Sequence, residues 1–197
     1  LIDAIFDRRS IRKYTDRAVP REWVETVLQA GMAAPSSKNR QPWKFIVTAG
    51  KGREELLAAF QKGLEREKRG EALLPGCTQF VSGAEYTLRI MAQAPVVILV
   101  VNPLGLGLER PVTPEDRIYE ICNAQSVGAA LENMSLAATD LGLGSLWICD
   151  TYFAYQELTA FAGGEGDVIA AFALGFADEQ PGPRPRKSFD DVVEWRE

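Results

Sequence analysis

Apolar and polar positions alternate along the chain in blocks, and the period within each block predicts its element. Ile2, Ile5 and Phe6 fall on one face of a short helix over Leu1–Arg8. Pro20 sits where a first helical turn tolerates proline, and Trp23, Val24, Val27 and Leu28 follow at helical spacing. Trp43–Ala49 predicts a strand, Arg53–Arg69 a charged amphipathic helix, and Gly70–Gly83 a mobile loop or lid. A helix around Tyr86–Ala92 leads through Pro95 to Val96–Val101, the longest strongly apolar run. That run is far below the roughly 20 residues a membrane helix needs, so it predicts a buried strand.

Asn102–Pro114 is loop, and Glu115–Leu141 carries the longest helical pattern. Ile121, Val127, Leu131, Met134 and Ala138, with small residues around the rest of the circumference, make that helix apolar on most sides. Such a helix is central, or packs against a second subunit as well as its own. Gly142 and Gly144 end it. Ser145–Cys149 predicts a short strand, Tyr155–Phe161 a helix and Val168–Phe176 another strand. Without repeats or low-complexity linkers, residues 1–197 read as one α+β domain with a small central mixed sheet flanked by helices. The tail 180–197 begins proline-rich and then presents Phe189, Val192, Val193 and Trp195, apolar surface that is expected to dock.

Composition narrows the chemistry. A chain of 197 residues, 46% hydrophobic and 25% charged, can bury a real core. A net charge of -5 offers no general attraction for nucleic acid or a membrane surface. The opening Leu1-Ile2-Asp3, closely followed by Arg8 and Arg9, does not read as a signal peptide. Cys77, Cys122 and Cys149 are widely spaced with no C-x-x-C pair, so neither a disulfide framework nor a thiolate metal site is expected, and a reducing cytoplasm fits. The chain contains no histidine. That excludes Ser-His-Asp and Cys-His catalysis, H-E-x-x-H zinc sites and histidine bases together. An enzyme built this way relies on a cofactor for its chemistry.

Two basic clusters stand out against the acidic whole. Arg8-Arg9-Ser10-Ile11-Arg12 puts three guanidinium groups and a hydroxyl within five residues. Each guanidinium is a planar fork matched to phosphate oxygens. In Arg184-Pro185-Arg186-Lys187-Ser188 the proline favours extension, so Arg184 and Arg186 point the same way. Either cluster alone suits a solvated surface equally well; together, beside apolar segments, they suit one shared anion. No G-x-G-x-x-G or G-x-x-x-x-G-K-[ST] exists, so side-chain arginines would have to hold the phosphate, which suits a terminal monophosphate.

These residues resemble a known family. Arg8-Arg9-Ser10-Ile11-Arg12 is similar to the R-R-S-x-R opening of FMN-dependent nitroreductases, and Ala34 to Trp43 (APSSKNRQPW) to their A-P-S-S-x-N-x-Q-P-W motif. Leu141 to Ile148 (LGLGSLWI) resembles their L-G-L-G-S-x-W-I, and Pro183–Lys187 with Val192, Val193 and Trp195 resembles their closing pattern. The resemblance implies an intertwined homodimer sharing two FMN sites across its interface, with NADH or NADPH as co-substrate. Arg8, Arg9, Ser10 and Arg12 would then hold the FMN phosphate and ribityl chain, with Arg184 and Arg186 closing over the phosphate. Pro35, Ser36, Ser37 and Asn39 of the partner would line the isoalloxazine, with Gln41 supporting that loop or touching the flavin. Leu146, Ile148 and Cys149 would offer backbone groups to the ring edge. No metal and no catalytic side chain are expected.

Cys149 departs from the family, which commonly has glycine there; a buried, inert thiol is the first expectation and a thiol close to the flavin the second. Tyr152 and Phe153 would shape the substrate end. The expected activity is two-step hydride transfer from NAD(P)H through flavin to an electron-poor acceptor such as a nitroaromatic or quinone. The alternatives are a reductive dehalogenase-like or flavin-fragmenting relative of the same fold, a non-catalytic FMN-binding or storage protein, and a structural dimer whose arginines meet an acidic partner.

Overall fold

The computed structural model describes residues 2–197. Helices α1 (Ile2–Asp7), α2 (Arg21–Met32), α3 (Gly50–Lys68), α4 (Val81–Gln93), α5 (Pro114–Asp140) and α6 (Tyr155–Phe161) surround strands β1 (Lys44–Thr48), β2 (Val96–Asn102), β3 (Gly144–Ile148) and β4 (Asp167–Gly175). The sheet order is β1-β2-β4-β3, and every neighbouring pair of strands is antiparallel. The expected mixed sheet is thus antiparallel through its four strands; its parallel component is the single bridge Ser10–Ser145 at the β3 edge.

The central strands β2 and β4 are buried on both faces, which is why β2 reads as an unbroken apolar run rather than an alternating one, whereas the edge strands β1 and β3 expose Val47 and Trp147. Val96, Ile98, Val100, Phe172 and Leu174 face α2 and α5, packing with Val27, Val127, Leu131 and Met134. Val97, Leu99, Val101, Leu146 and Ile148 face the other layer, with Leu56, Phe60, Ile90, Met91 and Leu158. Helix α5 opens with a capping box: Asp116 N–H donates to Thr113 Oγ1, and Thr113 N–H donates to the Asp116 carboxylate. Its second half is buried along one stripe, while Ile118, Tyr119 and Ile121 in its first half are exposed. More of this helix is apolar than one chain covers.

Two helices start earlier than their patterns predict. Helix α3 begins at Gly50 and α4 at Val81, because glycines in a first turn cost little once Leu56, Phe60, Ala84 and Ile90 are buried behind them. The segment expected as a mobile loop contains a short 3-10 helix, Pro75–Phe80, and is tied down at its start. Arg66 donates to Glu157 (2.9 Å), Glu67 (2.7 Å) and the Glu71 carbonyl (2.8 Å), and Glu67 accepts from the Leu73 N–H (3.0 Å). Burial alone would pull the Arg66 guanidinium down, but hydrogen bonds to Glu157 and Glu67 hold it above its ordinary value, so it stays charged. Gly144 is required by close approach: a Cβ there would lie 2.9 Å from Ile11 Cγ1 and Cγ2 where the N-terminal segment crosses β3.

Candidate active site

The two chain ends meet through backbone pairing. Ile11 N–H donates to the Ser145 carbonyl (2.9 Å), which hangs the arginine segment on the β3 edge. Thr15 N–H donates to Phe176 O (2.9 Å) and Asp178 N–H to Lys13 O (2.9 Å), forming a short antiparallel pairing around the Tyr14–Ala177 bridge. Tyr14 is buried and donates to Ile11 O (2.9 Å); burial first and Glu179 second push its hydroxyl far above the ordinary range, so it remains a donor. Glu179 accepts from the Arg12 N–H, tying the tail to the same segment.

This pairing lets residues 181–186 run back beside residues 8–12. Between them lies a cavity of about 410 Å³, lined by Arg8, Arg9, Ser10, Arg12, Arg184 and Arg186, with Ile5 and Phe6 of α1 at its rim. Of the five guanidinium groups, among the described residues only that of Arg8 has a carboxylate within 4 Å, Glu132 at 3.5 Å. Arg9 donates to the carbonyls of Phe6 and Arg8, Arg12 to that of Ser10, and Arg186 to those of Arg184 and Pro185. These carbonyls orient the guanidinium groups without cancelling their charge. The chemistry of this cradle fits a phosphate monoester.

The 35–41 loop lies elsewhere in the chain. It rests on the first half of α5, with Ser37 N–H on Ser126 Oγ (3.3 Å) and the Arg40 guanidinium 4.4 Å from the Tyr119 ring centroid. Gln41 N–H donates to Ser36 Oγ (2.9 Å) and its side chain to Asn39 (3.3 Å), so Gln41 does brace the loop. Pro35, Asn39 and Gln41 are exposed, and Ser36 and Ser37 half-buried. None of these residues lines the arginine cavity. One chain alone does not bring the two groups together.

Strand β3 carries the third group. Because the Ser145 carbonyl faces the free edge, strand alternation turns the backbone groups of Trp147 and Cys149 to that edge. Leu146 and Ile148 instead face β4, opposite Ala173 and Ala171, with buried side chains. The edge groups thus sit one residue off the expected Leu146 and Ile148, a register that motif spacing does not report. Cys149 is exposed rather than buried. Packing on its protein side, and then Asp150, push its thiol up, so it is a poor nucleophile. Phe153 belongs to the core rather than to a substrate pocket, whereas Tyr152 lines a groove with Leu108 and Glu120.

Tyr86 and Arg89 form a surface pair near the end of β3. Both are exposed on α4, whose Thr87 donates to Asp150, next to Cys149 at the end of β3. The spacing of three places Arg89 over the Tyr86 ring, 5.6 Å from its centroid. Among the described residues no helix is long and apolar enough to cross a membrane.

A helix-sheet-helix α+β domain with a guanidinium cradle at the sheet edge defines the class. The chain belongs to the Nitroreductase family, whose profile matches residues 5–176. It is 44% identical over 202 aligned positions to a nitrobenzene nitroreductase from Ectopseudomonas oleovorans, covering 89% of this chain and 86% of that protein. A BluB-like flavoprotein from Clostridium difficile superposes with a TM-score of 0.77 at 26% identity, covering 100% of this chain and 98% of that one. A provisionally named nitroreductase from Desulfovibrio desulfuricans, solved in complex with FMN, has a TM-score of 0.69 at 29% identity, covering 100% and 96%. The chain spans 64% and 59% of the length of two archaeal relatives, from Archaeoglobus fulgidus and Methanothermobacter thermautotrophicus, to which it is 35% and 33% identical.

Proposed function

We propose that this chain is an FMN-dependent NAD(P)H oxidoreductase acting as a homodimer on an electron-poor small molecule. The observation that carries this reading is the convergence of five arginines and Ser10 from opposite chain ends on one cavity. Arg8, Arg9, Ser10 and Arg12 hold the phosphate and ribityl chain, and Arg184 and Arg186 close over the phosphate. When bound, FMN supplies the chemistry that accepts hydride from a reduced nicotinamide and delivers it to an acceptor such as a nitroaromatic or quinone. The protein binds and orients; no side-chain base is required, in keeping with a chain that has no histidine. The edge-facing backbone groups of Trp147 and Cys149 are fixed dipoles, available to a flavin ring without reorganisation.

The dimer is supported by what one chain leaves uncovered. Ile118 and Ile121 of α5 and Phe189, Val192 and Trp195 of the tail are all about half exposed or more. The 35–41 loop stands apart from the arginine cavity, so a site using both draws on two chains. The tail docks on the partner and completes the single domain 1–197. Absorbance of the purified protein, followed by anaerobic titration with NADH and then NADPH, tests the reading. Bound flavin that bleaches with either donor, and recovers with a nitroaromatic or quinone, is the expected result. Flavin that neither donor bleaches would indicate a binding or storage protein, and colourless protein that takes up no FMN would refute the proposal.

A further inference from the structure

The peptide that joins Ile11 to Arg12 is gripped at both of its polar atoms. The Tyr14 hydroxyl donates to the Ile11 carbonyl (2.9 Å), and the Arg12 N–H of the same peptide donates to the Glu179 carboxylate. One atom group earlier, Ile11 N–H donates to Ser145 O (2.9 Å). Both gripping side chains are themselves held. The Tyr14 ring is buried in a slot so narrow that a Cβ on Gly175 would come within 2.9 Å of it. Glu179 follows directly on residues 176–178, which pair with residues 13–15, and the Phe176 ring packs against Trp23 and the Arg17 guanidinium. Neither Tyr14 nor Glu179 borders the arginine cavity. Glu179 lies behind the arginine segment, in an adjoining recess of about 350 Å³ with Asp7, Arg9 and Ile11.

A carboxylate this close to a phosphate cradle opposes the anion through space. Its placement is explained by the backbone it holds. An ionised acceptor makes the stronger kind of hydrogen bond to an N–H, and with Tyr14 donating to the carbonyl the two bonds polarise one peptide in the same direction. Holding that peptide plane fixes the frame from which the Arg12 side chain leaves. Arg12 Nη1, donating to Ser10 O (3.1 Å), then limits how the side chain can turn. An arginine oriented beforehand gives up less rotamer freedom when it meets its anion. We infer that Glu179 and Tyr14 are positioning residues: they clamp the Ile11–Arg12 peptide so that Arg12 is presented to the phosphate, and thereby set the preference of the site for a phosphorylated flavin over one without phosphate. Their role rests on the proposed FMN reading and deepens it. Because neither side chain reaches the cavity, a flavin that lacks the phosphate is insensitive to both.

Equilibrium dialysis of the full chain against FMN and against riboflavin, read by flavin absorbance, tests this. Glu179→Ala should weaken FMN about tenfold and leave riboflavin within about twofold of wild type. Glu179→Gln keeps an acceptor for the Arg12 N–H while removing the charge, so it should bind FMN as tightly as wild type or more tightly. Tyr14→Phe deletes only the donor to Ile11 O and should lower the preference for FMN over riboflavin about threefold. Unchanged FMN affinity in a folded Glu179→Ala overturns the inference, as does an equal loss of FMN and riboflavin, which would mark Glu179 as a contact of the fold only. A Glu179→Gln as damaging as Glu179→Ala overturns it too. If Glu179→Ala does not fold, an unchanged FMN-to-riboflavin ratio in Tyr14→Phe overturns it instead. A wild type that takes up neither flavin sinks the proposed function, and thermal melts of the same proteins with inorganic phosphate then decide the clamp. Stabilisation lost in Glu179→Ala but kept in Glu179→Gln supports it, and equal shifts in all the proteins overturn it.

Discussion

Gly144→Ala tests how the arginine segment is seated. The added Cβ would lie 2.9 Å from both Ile11 Cγ1 and Cγ2, closer than side-chain carbons tolerate, and Ile11 is buried at 7% exposure with little room to turn. Relief requires the segment to lift from β3, stretching the 2.9 Å bond from Ile11 N–H to Ser145 O. Overpacking of this kind costs about 1–3 kcal/mol. For a domain of this size that corresponds to a fall in melting temperature of roughly 2–12 °C, at about 2–4 °C per kcal/mol. Because Arg8, Arg9 and Arg12 ride on the same segment, FMN affinity should fall with stability. Ile11→Ala removes the two nearest clashing atoms, Cγ1 and Cγ2, so the double variant should be more stable than the sum of the two single losses, by about 1 kcal/mol or more. Thermal melts of the four proteins with and without added FMN read both effects. A Gly144→Ala melting within 1 °C or so of wild type, with no coupling to Ile11→Ala, would refute the reasoning.

Other outcomes follow from single contacts. Arg66→Ala leaves the fully enclosed Glu67 carboxylate without its counter-ion, which should cost about 3–5 kcal/mol and lower the melting temperature by roughly 6–20 °C; a fall under about 2 °C would show the pair is not sealed. Glu120 is pushed above its ordinary 4.5 by burial first, then by Asp167 and Asp116. A raised carboxyl contributes stability below 4.5 that is lost as pH rises through the folded value, so from pH 4.5 upward the stability of the wild type should fall relative to that of Glu120→Gln, which lacks this component. Parallel slopes in pH-dependent melts would contradict it. Cys149 should alkylate more slowly than free cysteine at neutral pH despite its exposure, with the rate rising in alkaline solution; mass-spectrometric labelling faster than the free amino acid would show an activated thiolate.

Much of the fold is legible in local pattern. The unbroken Val96–Val101 run reads as a buried strand and forms one, whereas α5, apolar on most sides, is left bare at Ile118 and Ile121 by one chain. The starts of α3 and α4 lie earlier than the local pattern indicates, because Gly50, Gly52 and Gly83 interrupt the apolar period although a first turn absorbs them. The two arginine clusters stand out in the sequence and suggest a shared anion, but spacing does not establish that they meet. Their meeting depends on the pairing of residues 13–15 with 176–178, a contact between opposite chain ends that no local period records. Register was equally hidden: only the bond from Ile11 to Ser145 reveals that Trp147 and Cys149, not Leu146 and Ile148, face the free edge of β3.

The central claim is that Arg12 and Arg186, 174 positions apart in sequence, grip one phosphate. Measuring bound FMN per protein chain in Arg12→Ala/Arg186→Ala against wild type, with circular dichroism to confirm folding, tests it most directly. The account predicts a folded protein that has lost its flavin colour on purification. A folded double variant that keeps its full complement of FMN would contradict it.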